Sequence, residues 1–159
     1  MQQESSSTPK PVAIIKAQVF ALVNACPAGR VTTYGWIGKA LGYPRGARMI
    51  GWIMNDAHGD VPAQRVVNSK GELSGSWAFG QKGRMRQLLE AEGVELLSEE
   101  RVDIKRYGWD PSRDLDPNEL RHIIETTSPD MSGSSKRLLF LLQNDPASPL
   151  REELRGTEE

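Results

Sequence analysis

The sequence predicts a mostly α-helical fold with a small β wing, a winged helix-turn-helix. Three observations carry this. Apolar residues recur at helical spacing in three successive segments before Asp56. The second and third segments are joined by a short glycine-containing break, as in a helix-turn-helix. After the third segment come short extended pieces separated by a turn, the pattern of a hairpin wing.

The elements follow in order. Residues 1–10 are rich in Ser, Gln and Pro and read as disordered. Val12, Ile15, Val19, Leu22 and Cys26 then recur at steps of three and four, one face of a helix from about Val12 to Ala25. Pro27-Ala28-Gly29 ends it. Thr32 or Thr33 caps a second helix through Ala40, and Gly42-Tyr43-Pro44 breaks the chain. A third helix runs from about Arg45 to Asn55, with Met49, Ile50, Ile53 and Met54 apolar and Trp52 expected in the core. Asp56 to Asp60 is a polar loop. Arg65 to Val67 is extended, and a turn at Asn68-Ser69-Lys70-Gly71 returns the chain at Glu72-Leu73 as a hairpin. Gln81 to Glu92 is a helix with Met85, Leu88 and Leu89 inward and Gly93 as its stop. Val94 to Leu97 and Val102 to Lys105 are β-like. Residues 11–110 thus form the domain, and residues 111–159 an extension of unassigned role. In it Asn118 to Glu125 and Lys136 to Gln143 read as helices, with a linker at Ser128 to Ser135.

Composition excludes several classes. No segment has the length and hydropathy of a membrane span or a signal peptide. The lone Cys26 rules out an internal disulfide, and with only His58 and His122 there is no metal-ligand spacing. Neither a metal nor another cofactor is expected. A reducing cytoplasm is the expected setting, with the nucleoid as place of work and a monomer as the working form. The net charge of -1 hides a split. Arg30 to Arg86 holds nine basic and three acidic residues; Pro111 to Glu159 holds six basic and ten acidic. A basic segment beside an acidic tail fits a polyanionic partner, though an ordinary solvated surface has the same charges.

Chemistry enters at Val61-Pro62-Ala63-Gln64-Arg65-Val66-Val67. This stretch resembles the active-site segment of the O6-alkylguanine-DNA alkyltransferases, Pro-Cys-His-Arg-Val-Val. Other matches lie around it in the family's order. Thr33-Tyr34-Gly35 resembles the start of the first helix of its helix-turn-helix, Gly46-Ala47-Arg48-Met49-Ile50-Gly51 its recognition helix, and Glu92-Gly93 the close of its last helix. The resemblance spans about Val12 to Asp110 and implies the fold of the alkyltransferase C-terminal domain. The departures are informative. Alkyl transfer needs a thiolate, the one side-chain nucleophile strong enough at neutral pH to attack an unactivated alkyl carbon. Ala63 stands at that position, and the relay histidine is Gln64, which does not titrate. No catalytic residue is therefore expected. Loss of that cysteine is the mark of the alkyltransferase-like proteins, which also share a segment similar to Val102 to Trp109.

The resemblance implies a reading site. A base must leave the duplex to be inspected all round. Arg48 resembles the family's arginine finger, which fills the vacated stack, and its planar cation can bond the orphaned base. Arg45, Gly46, Ala47 and Gly51 share its helix, whose small residues let the backbone approach a narrow minor groove. Tyr34 resembles the residue that presses on the 3′ phosphate. Val61, Pro62 and Ala63 form the expected lesion-pocket floor, which the small Ala63 should make roomy, and Trp77 falls near one pocket wall. Each residue alone has a plainer reading: Tyr34 and Trp77 as packing aromatics, Arg48 as a surface charge, Gly46 and Gly51 as packing glycines. The implied partners are double-stranded DNA containing O6-alkylguanine and, because nothing here removes the alkyl group, nucleotide excision repair proteins. Two other readings compete. A winged-helix transcriptional regulator would present several polar base-readers to the major groove. An active alkyltransferase would have to use Cys26, which lies in the first helix and reads as a buried small hydrophobe.

Overall fold

The computed structural model describes residues 10–57, 61–127, 135–146 and 149. The expected disordered start (but for its last residue), residues 58–60 of the 56–60 loop and most of the 128–135 linker lie outside these.

Helix α1 (Lys10–Ala25) buries Val12, Ile15, Val19, Leu22 and Val23. The same helix buries Lys16 completely, with its ammonium 2.8 Å from the Asp56 carboxylate. That charge ties α1 to the exit of the third helix, which the apolar periodicity did not reveal. Thr33 caps α2 (Tyr34–Ala40), its hydroxyl accepting from the Trp36 amide at 3.0 Å. The turn into α3 (Ala47–Met54) is tight. A Cβ on Gly46 would stand 2.9 Å from the Cβ of Tyr43, so Gly46 is a packing glycine. Helix α3 buries Met49, Ile50, Ile53 and Met54 against α1 and α2.

The β structure differs from the expected wing. The turn at Asn68 forms, with the Asn68 amide donating to the Glu72 carbonyl at 3.1 Å. Its two arms do not pair as a ladder. Strand β2 (Val66–Val67) instead pairs in parallel with β1 (Thr32–Thr33), and Glu72 bridges to Arg101. Burial explains the choice: Val66 and Val67 both sit inside beside the buried threonines. At Gly71, with φ +84°, a Cβ would fall 2.1 Å from the Val102 carbonyl. The neighbour of that arm is therefore the β4 segment. Strands β3 (Leu96–Ser98) and β4 (Arg101–Val102) make a second, antiparallel pair. The β-like reading of 102–105 holds only for its first residue, because Asp103 caps a helical turn, α5 (Ile104–Tyr107). Helix α4 (Arg84–Ala91) is shorter than expected; it buries Met85 and Leu89 in a second core with Val67, Leu73, Val94 and Val102, while Leu88 is half-buried.

The extension is structured where it is described. Asp110 and Asp116 each cap a helix that opens on proline, α6 (Pro111–Asp114) and α7 (Pro117–Thr126). Helix α8 (Ser135–Asn144) follows. Leu142 is fully buried in the α1–α3 core, and Leu115, Leu120 and Ile123 pack against it. No helix among the described residues is long and apolar enough to cross a membrane.

Candidate nucleic-acid interface

The exposed side of α3 faces an open cavity of about 360 Å³. Ala47, Arg48, Gly51, Trp52 and Asn55 line it from the helix, one turn apart in pairs. Tyr34, Ser74, Gly75 and Trp77 close the other side. Five sequence-expected residues thus converge: Tyr34, Ala47, Arg48, Gly51 and Trp77. Arg45 is exposed at the preceding turn. A Cβ on Gly51 would touch nothing within 4 Å, so no internal packing requires glycine there. Gly46 and Gly51, which look alike in the sequence, have different reasons to be small.

Tyr34 is half-buried at the cavity edge. Burial pushes its phenol above the ordinary value, and a hydrogen bond with Ser74 only partly opposes this. Its neutral O–H is thus available as a donor. Trp77 is 68% exposed, more than a packing aromatic would be. Trp52, expected in the core, packs against it on one side and lines the cavity on the other. Its indole N–H donates to Asp145 at 2.7 Å. Asn55 follows from helical spacing after Gly51, whereas Ser74 and Gly75 carried no sequence signal.

Behind Tyr34 lies a second cavity of only about 30 Å³, lined in part by Ala63, Val66, Phe79 and Met85. Ala63, expected to give a roomy floor, lines this small cavity, and Phe79 and Met85 form part of its wall. Val61 is buried in the core, and neither it nor Pro62 lines either of these cavities.

Beside Ala63 is a charged corner. The Arg65 guanidinium donates to both Glu92 carboxylate oxygens at 2.9–3.1 Å and to the Cys26 carbonyl at 2.8 Å. Gln64 donates to Glu92 at 2.8 Å, and so does the Gly29 amide at 3.1 Å. Burial alone pushes the Glu92 carboxyl up. The hydrogen bonds from Arg65, Gly29 and Gln64, with the Arg65 charge, outweigh it and hold the carboxyl below its ordinary value. Cys26 is 1% exposed, and burial pushes its thiol up to about 12 against the pull of Arg65 and Arg30. A thiol so held is neither accessible nor ionised at neutral pH. Among the described residues no group of three or more His, Cys, Asp or Glu side chains could hold a metal ion.

A family model described as the DNA binding domain of 6-O-methylguanine DNA methyltransferase matches residues 15–94. The DNA base-flipping protein of Vibrio parahaemolyticus is 37% identical over 100 residues, 59% of this chain and 94% of that protein. Alkyltransferase-like protein 1 of Schizosaccharomyces pombe is 36% identical over 100 residues, 59% of this chain and 93% of its own. The chain is an alkyltransferase-like protein of this family. The crystal structure of S. pombe Atl1 in complex with damaged DNA containing O6-carboxymethylguanine superposes with a TM-score of 0.55 at 35% identity, covering 61% of this chain and 95% of that one. The chain is longer than these two relatives, and α6, α7 and α8 all lie beyond the family model.

Proposed function

We propose that this protein recognises O6-alkylguanine in double-stranded DNA from the minor groove, holds the lesion base rotated out of the stack, and transfers no alkyl group. The observation that carries the reading is the convergence of Tyr34, Arg48, Gly51 and Trp77 on one open cavity, beside a corner whose only thiol is buried and un-ionised. The relative's structure with O6-carboxymethylguanine DNA supports it. Gly51 lets the α3 backbone approach the groove. Arg48 enters the stack as the base leaves, replacing lost stacking with a planar cation that bonds the orphaned partner. Tyr34 presses on the 3′ phosphate, and Trp77 closes over the extruded base. Ala63 stands where an acceptor would be, and Glu92, spent on Arg65 and Gln64, relays no proton. Since the lesion survives binding, the complex serves as a flag, handed over to nucleotide excision repair proteins.

The test is a titration of matched duplexes containing guanine or O6-methylguanine at one fixed salt concentration, followed by intact-protein mass after long incubation with excess lesion DNA. Preference for the lesion duplex with unchanged mass is expected. Equal affinity for both duplexes, or stoichiometric gain of one methyl group, overturns the reading. The Cys26 acceptor reading predicts that mass gain, and burial of the thiol argues against it.

A further inference from the structure

Among the described residues, Asp145 brings the extension to the reading face. Asp145, directly after α8, is 3% exposed, and its Oδ2 lies 2.8 Å from the Arg48 Nε. The same oxygen accepts the Trp52 indole N–H at 2.7 Å. We propose that Asp145 is an affinity-setting residue: it holds Arg48 in the DNA-free protein and competes with DNA for it, so that lesion binding must first release the finger. The inference rests on Arg48 being the finger.

The geometry favours competition over positioning. Nε sits at the root of the guanidinium, so a bond there draws the side chain against the flank of α3. A finger that enters a base stack has to extend away from that flank. Asp145 does not travel with it, because Trp52 holds the carboxylate and Leu142, three residues earlier, is buried in the core. The contact belongs to the segment outside residues 15–94 and is an addition to the family domain. The Arg48 side chain is 62% exposed and the Asp145 side chain 3%, so water reaches the pair from the arginine side only and its strength exceeds that of a fully exposed pair.

The experiment uses the full chain, with duplexes containing O6-methylguanine or guanine at one fixed salt concentration. Four forms are compared: unmodified, Asp145→Asn, Arg48→Ala and the double variant. Asp145→Asn should bind the lesion duplex at least about two- to five-fold tighter, since a fully exposed ion pair already sets that range. It should change guanine-duplex binding less, because only the flipped state calls for the finger. In the Arg48→Ala background it should change nothing. Unchanged or weaker lesion binding by Asp145→Asn, equal gains on both duplexes, or a gain that survives in Arg48→Ala overturns the inference. If Arg48→Ala itself leaves lesion binding intact, the finger reading fails instead. Asparagine still offers Trp52 an acceptor. As a check independent of that variant's folding, the Arg48 Nε–H resonance of the unmodified protein should shift when lesion duplex is added; an unmoved resonance counts against release.

Discussion

Arg48 and Arg65 stand in two corners of one site. The Arg48 side chain is 62% exposed and pairs through Nε with Asp145. The Arg65 side chain is 16% exposed, and its guanidinium is engaged by both oxygens of Glu92 and by the Cys26 carbonyl. Exposed ion pairs contribute about 0–1 kcal/mol, whereas removing one partner of a buried pair costs about 3–5 kcal/mol. The Arg48 guanidinium can therefore be drawn out from the solvent side, leaving Asp145, 3% exposed, with the Trp52 indole N–H, whereas Arg65 is held by several acceptors at once. Arg65, Gln64 and Glu92 also join the turn after α1, the segment before β2 and the end of α4. The same residues therefore brace the fold.

Arg65→Ala is the sharpest way to break the contrast, with the largest expected effect. It should destabilise the protein by about 1.5–3 kcal/mol, because part-buried Glu92 loses its charge-assisted hydrogen bonds from the guanidinium. Urea unfolding checks this, and a loss below about 1 kcal/mol would place Arg65 in the same class as Arg48. Arg48→Ala should do the reverse. Lesion binding should weaken by about 1–3 kcal/mol, the scale of a good base contact, while stability falls less than in Arg65→Ala, because Asp145 keeps the Trp52 indole N–H as a donor. Gly51→Leu sharpens the same point. With open space at its Cβ and a better helix former in place, the fold should gain up to about 1 kcal/mol. DNA binding should nevertheless fall at least tenfold. Binding unchanged in Gly51→Leu would show that α3 does not meet the groove there.

The two corners were not equally legible in the sequence. Helices α1, α2 and α3 were readable because apolar spacing and the threonine cap are local signals, and the cavity-lining residues of α3 lie on one helical face. The wing was not, because two-residue strands take their partners from far along the chain: β2 chose β1 and Glu72 chose Arg101. Lys16 was hidden inside an apolar pattern, and the carboxylate that receives it lies 40 residues on. Gly46 and Gly51 could be told apart only by what a Cβ would touch. Asp145 meets Trp52 across 93 residues, which no motif announces.

Acid should separate the corners further. Because the folded-state carboxyl of Glu92 is held below its ordinary value of 4.5, its pair contributes stability that is complete above that value. The contribution is lost as pH falls through the folded value. Glu92→Gln lacks this titration. The variant should be less stable at neutral pH, and the gap to the unmodified protein should narrow steadily below about pH 4.5. Denaturant midpoints at several pH values check it. A gap independent of pH would mean that Glu92 acts through packing, not charge.

The smallest effect concerns adduct size, and it tests whether Ala63 is the pocket floor at all. The cavity beside it holds about 30 Å³, and Phe79 and Met85 form part of its wall. A methyl group fits such a space; a benzyl group does not. Larger adducts must displace Phe79 or turn toward the neighbouring 360 Å³ cavity, which shares Tyr34 and Gly75 with the smaller one. Phe79→Ala removes one wall. If the alkyl group points at Ala63, the variant should shift the ratio of benzyl to methyl dissociation constants toward benzyl. One additional buried CH₂ is worth about 0.8 kcal/mol, so a shift of roughly fourfold is expected. The ratio is taken on one protein, so any loss of stability affects both adducts alike and cancels. An unchanged ratio would place the adduct in the larger cavity under Trp77, where Ala63 has no part in choosing it.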